Sequence, residues 1–148
     1  MGTTSDATLI AILKGDEDAA KNYFRTYAQR ENNPAPNFSY FFENYLIEHK
    51  LKKSDVIRKS QIEKGHAYKI LRGDERTNRN YIIRLCLAAG MNLRNMQFAL
   101  QSNGMSLLTR RDHRDLIIIL GIKNHETIET IHEWLLKAGK KELIRKKD

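Results

Sequence analysis

The feature that most constrains this chain is an internal repeat. RTNRNYIIRLCLAAGMNLRNMQFALQSNG (76–104) aligns without a gap on RDHRDLIIILGIKNHETIETIHEWLLKAG (111–139), at an offset of 35 residues. Arg76 and Arg79 fall on Arg111 and Arg114, Ile82 and Leu85 on Ile117 and Leu120, and the helix-capping types Asn92 and Thr127 coincide. The stripe Leu93, Met96, Leu100 repeats as Ile128, Ile131, Leu135, at the spacing of one helix face. Each unit closes on a glycine, Gly104 or Gly139. Two helical hairpins therefore follow one another. Two copies do not make a solenoid, so the second is expected to extend the core begun by the first. With only two prolines and eight glycines in 148 residues, the rest of the chain also leans all-α.

Ahead of the repeat, SDATLIAILKGDEDAAKNYFRTYAQRE (5–31) reads as one or two short helices, with Ser5 or Asp6 and then Asp16 as caps. NNPAPN (32–37) is the clearest linker, because two prolines in a polar run oppose helix. From there Phe38, Phe41, Phe42, Tyr45 and Leu46 draw the stripe of an amphipathic helix. Two very short units follow, SDVIRKS (54–60) and EKGHAYKILRG (63–73). Neither buries enough apolar surface alone, so both need the flanking helices at 38–49 and 80–89 behind them. The expected organisation is an N-terminal helical segment (1–31), a linker (32–37), a helix–turn–helix domain (38–91), a helical extension packed on it (92–139) and a basic tail (140–148). KKELIRKK in that tail reads as a frayed solubilising end.

Charge is concentrated in the middle of the chain. The whole carries +8; residues 50–79 hold ten Lys or Arg against four Asp or Glu, while residues 1–49 hold four against seven. A charge run is most often a solvated face, but here it coincides with the two short helices, and polyanions become the first partners to consider. Cys86, the single cysteine, sits in an apolar run and reads as a buried core residue. No stretch reaches the roughly 20 apolar residues a membrane span needs. No secretory leader is visible, so the chain is expected to be cytoplasmic. The Glu129–His132 pair at i, i+3 lacks matching ligands on a second helix, so no metal is expected, nor any other cofactor. No nucleophile elbow, triad or phosphate-cradling glycine loop is present, so an enzyme is not expected.

LKKSDVI (51–57) and AYKILRG (67–73) resemble the lambda-repressor-like (Cro and Xre) helix-turn-helix family over about residues 38–91. Leu51, Asp55, Val56, Ile70 and Gly73 fit its pattern. The following region resembles a subgroup of bacterial Xre-type proteins with a helical extension. The chain departs from the pattern at four positions. Ile57 replaces a small residue and Ala67 a large one, a pair expected to compensate across one helix crossing. Gln61 stands where the turn usually has glycine; a left-handed residue there costs roughly 1–2 kcal/mol, which points to a differently shaped turn. Lys52 replaces the usual Thr cap, so capping is expected to pass to Ser54.

The resemblance implies a sequence-specific DNA-binding transcription regulator whose third helix enters the major groove of double-stranded DNA. Carried over by position, Lys64, Gly65, His66, Tyr68 and Lys69 are the base-contact candidates. Lys52, Lys53, Arg72, Arg76 and Arg79 are the phosphate-contact candidates. A homodimer on a pseudo-palindromic site is a further expectation. The alternative is a protein-interaction adaptor that keeps the fold without specific DNA binding and uses the C-terminal helices; Gln61, Glu63, Asp74 and Glu75 favour it.

Overall fold

The aromatic stripe after the prolines becomes the first helix of a computed structural model that describes residues 34–145. The N-terminal helices read from residues 5–31, and residues 146–148 of the tail, lie outside the described residues. Helix α1 (Pro34–Glu48) is followed by α2 (Lys53–Ser60), α3 (Lys64–Arg72), α4 (Arg79–Ala88), α5 (Leu93–Ser102), α6 (His113–Lys123) and α7 (Ile128–Lys137). The described residues are all-helical, with no strand. α1 begins inside the expected linker, so residues 34–37 are helical instead. Both prolines fall in the first turn, whose N–H groups have no partner within the helix, and there proline is tolerated.

Phe38, Phe41, Phe42, Tyr45 and Leu46 are all buried, and Phe41 packs against Phe98 of α5 with ring centroids 4.7 Å apart. α2 packs on α4, α3 on α1, and α5 on both α1 and α4. One apolar cluster runs from Phe38 to Leu143, and there is no break in packing at residue 91. Ile57 and Ala67 both lie in it, fully enclosed. Cys86 is buried as well, and burial pushes its thiol well above the ordinary range, leaving it an inert core residue.

The 35-residue repeat holds at the level of single hydrogen bonds. Gly90 and His125 close α4 and α6 with left-handed backbone, at φ 73° and 57°. Behind them Met91 N–H donates to the Cys86 carbonyl and Glu126 N–H to that of Gly121. Asn92 and Thr127 cap α5 and α7 by accepting from Asn95 N–H and Thr130 N–H. Gly104 and Gly139 share φ 70°. Reaching past the ends of the aligned segments, Gln97 holds both backbone groups of Leu108, and at the equivalent positions His132 Nδ1 accepts from Leu143 N–H. This last pairing corrects the reading of the tail. Residues 140–144 are not frayed: Leu143 is 0% exposed, and His132 also accepts from Ile144 N–H at 3.1 Å.

The two hairpins lock through arginines. Arg79 donates from Nε to Ser106 O and from Nη2 to Leu107 O, and forms a two-pronged pair with Asp115, all at 2.9 Å. Arg114, its mate 35 residues on, donates from Nε to Lys141 O and from Nη2 to Glu142 O and Asn80 Oδ1, again at 2.9 Å. Each position maps onto its counterpart: 106 on 141, 107 on 142, and 115 back on 80. The interlock is a pseudo-two-fold exchange in which each hairpin reaches into the other.

Ile57→Ala should lower stability by about 2–5 kcal/mol, the ordinary cost of emptying a packed site, read as a lower urea midpoint. A variant more stable than the wild type would mean that Ile57 overfills the space beside Ala67, and would end the compensation argument.

Candidate nucleic-acid interface

The turn between α2 and α3 is three residues long, Gln61–Ile62–Glu63, and its shape decides how α3 is presented. Gln61 adopts φ 60°, ψ 24°, the left-handed conformation a glycine would take, so the expectation of a differently shaped turn is corrected. The strain there is offset by contacts on every side. Its N–H donates to Arg58 O, and its side-chain amide donates to Glu129 at the start of α7. Its own carbonyl accepts from Arg84 Nη2 at 2.7 Å, while Arg84 Nε donates to Ser60 O at 3.0 Å.

Arg84 is 0% exposed, in the middle of α4. It brings a cation to the C-terminal end of α2, where carbonyls lack helical partners and the helix dipole is negative. Ser60 completes the closure, donating to Ile57 O at 2.6 Å and accepting from Ile62 N–H at 3.2 Å. The guanidinium also lies 5.3 Å from the Tyr81 ring centroid. Arg84 escaped the reading of the sequence, although the signal was there: a lone arginine inside YIIRLCLAA, on a helix with apolar residues on both sides of it.

At the start of α2, Lys52 is the N-cap residue, and neither it nor Ser54 supplies a side-chain cap, so the expected transfer to Ser54 does not occur. Asp55 in the first turn complements the dipole instead. At the start of α3, Glu63 is the cap: its carboxylate accepts from Gly65 N–H at 3.0 Å and His66 N–H at 2.8 Å. Those two donors hold its carboxyl below the ordinary carboxylate range. Gly73 ends α3 at φ 78°.

α3 turns Ala67, Ile70 and Leu71 into the core and leaves Lys64, Gly65, Lys69 and Arg72 exposed. Tyr68 is half-buried against the core cluster. His66 is half-buried too; its Nδ1 donates to Glu75 Oε1 at 2.9 Å, and its ring meets Tyr81 edge-on at 5.1 Å. Of the phosphate candidates, Lys52 and Arg76 are exposed, Lys53 pairs with Glu43, and Arg72 donates to Asp74 at 2.8 Å. Arg79 stands apart: its four hydrogen bonds to Ser106, Leu107 and Asp115 commit it to the hairpin interlock. Arg58 and Lys59, at the exposed C-terminal end of α2, add two cations to the same basic segment.

Comparison with protein-family models, with curated proteins and with solved structures finds no match for this chain. No described helix is long and apolar enough to cross a membrane.

Arg84→Leu should strand the Ser60 and Gln61 carbonyls at about 1–3 kcal/mol each, lowering Tm while helix content below the transition is kept. Glu63→Gln tests the cap. A carboxyl held low in the folded state stabilises above its ordinary value near 4.5 and loses that contribution as the pH falls through the folded value. The variant should therefore melt below wild type at pH 7, and the gap should close as the pH is taken below 4.5.

Proposed function

We propose that this chain is a DNA-binding regulator that places α3 in the major groove, with Lys64 and Lys69 at base edges and Lys52 and Arg76 on phosphates. One observation carries the reading. The short helix whose apolar side is wholly taken up by the core is also the centre of the +6 segment, and its exposed side carries Lys64, Lys69 and Arg72. Lysine at a guanine edge donates to O6 and N7, while cations along the flanking backbone set register and supply affinity. Gly65 puts no side chain at the second position of α3, so the backbone there can come close to a groove floor. The resemblance to the Cro and Xre pattern gives the same docking direction. Arg79 is left out of the phosphate set because its hydrogen bonds are spent on Asp115 and two carbonyls.

A second reading, a protein-interaction adaptor, is favoured by the pairing of Arg72 with Asp74 and of His66 with Glu75, which neutralises part of the same face. The two readings separate on salt dependence. A DNA complex should weaken steeply as salt rises, with a linear fall of log K against log salt.

Lys64→Ala combined with Lys69→Ala should weaken binding to a selected duplex by about tenfold or more, measured by fluorescence anisotropy at fixed salt. Binding that is absent, or indifferent to salt, would remove the DNA reading and leave the adaptor.

A further inference from the structure

The pseudo-two-fold interlock is not quite symmetric, and the asymmetry has chemical content. Arg79 meets a carboxylate: Asp115 Oδ1 takes Nη1 and Oδ2 takes Nη2. At the equivalent place Arg114 meets Asn80, a neutral amide with one acceptor oxygen, which takes Nη2. Where Asp115 offers Arg79 a second oxygen, Asn80 offers an NH2 group. Arg114 Nη1 therefore has no hydrogen-bond acceptor among the described residues. At that place Arg114 lacks the two-pronged pair that Arg79 makes, although the carboxylates of Asp115, Asp112 and Glu142 all act on its charge.

That deficit faces a cavity. An open groove of about 410 Å³ is lined by Asn78, Asn80, Arg79, Arg114, Lys141 and Arg145, with Glu142 the only acid among its lining residues. Asn78 is the N-cap of the ten-residue α4, so the positive end of that helix adds to the same place. Lys141 and Arg145 are exposed at the rim, on the stretch that Arg114 pins by its carbonyls. Arg114, Lys141 and Arg145 line one groove with the N-terminal end of α4, while Arg79 beside them is already paired with Asp115.

We infer that the groove between α4 and the 141–145 segment is an anion site that takes a phosphate group, seated against Arg114 and Asn80 and closed over by Lys141 and Arg145. A tetrahedral oxyanion supplies to Arg114 the acceptor that Asp115 supplies to Arg79, and it receives the Asn80 amide as a second donor. The phosphate can come from a nucleic-acid backbone or from a free small phosphate, and the shared chemistry is the same. The site stands apart from the α3 reading, since none of the base-contact candidates lines it.

Asn80→Asp is the decisive variant, because it completes the internal pair with Arg114. The full chain is melted in inorganic phosphate and in chloride at matched ionic strength, then titrated with a short duplex over a range of salt. Wild type should gain roughly 4 °C or more in phosphate over chloride. N80D should melt above wild type in chloride and lose the gain from phosphate. Lys141→Ala with Arg145→Ala should lose that gain without the rise in chloride. If the source is a DNA backbone, N80D and the double variant should each reduce the salt slope of duplex binding by roughly one. An unchanged slope with a retained response to inorganic phosphate assigns the site to a free phosphate. No stabilisation of wild type by phosphate together with an unchanged slope overturns the site. A phosphate gain that persists in N80D overturns it equally. Loss of α3-dependent duplex binding alone leaves the phosphate arm standing, so the two readings fail separately.

Discussion

The buried guanidinium of Arg84 is the interaction on which the rest depends. A charge at 0% exposure is destabilising unless its surroundings answer it, and here the answer is the carbonyl end of α2. Because α4 supplies the cation and α2 the carbonyls, the two helices cannot slide past one another without stranding both. The turn that follows is fixed by the same contact, so Gln61 can hold a backbone conformation it would not choose by itself. The position of α3 is then a consequence. Its inner face is set by Ala67, Ile70 and Leu71, and its entry point by a turn that Arg84 grips from below.

Much of this was legible in the sequence. The stripe from Phe38 to Leu46, the capping residues Asn92 and Thr127, and the closing glycines all act locally, and local rules read them directly. The repeat was legible because burial at 96 and 131, and at 100 and 135, demands apolar residues in both copies, although Leu120, 46% exposed, does not share the burial of its counterpart Leu85. What could not be read depends on partners distant in the chain. Nothing in the neighbours of Gln61 foretells Glu129, 68 residues on, or Arg84, 23 residues on. The helical start at Pro34 was missed because two prolines outweigh their setting unless the first turn is known. Leu143 was missed because the charges around it read as tail, although it stands 35 residues after Leu108.

The candidate interface was legible in part. The exposed lysines of α3 follow from the apolar pattern, since whatever the core does not take must face out. Arg79 shows the limit of reading charge by position. An arginine in a basic run is equally able to serve as a structural fork, and only the carbonyls of Ser106 and Leu107 with the carboxylate of Asp115 reveal that it does. The two roles leave the same mark on a sequence.

The reciprocal arginine exchange also bears on how the molecule is completed in time. A chain made from its N-terminus folds what it has as it emerges. Arg79 cannot close on Asp115 until the synthesis of α6 is under way, and the Gln61 side chain waits for Glu129 still longer. Arg114 in turn waits for residues 141 and 142 to bring its carbonyls. The α2–turn–α3 segment therefore precedes its last supports in synthesis, and its full set of contacts is complete only once residues up to Glu129 have been made.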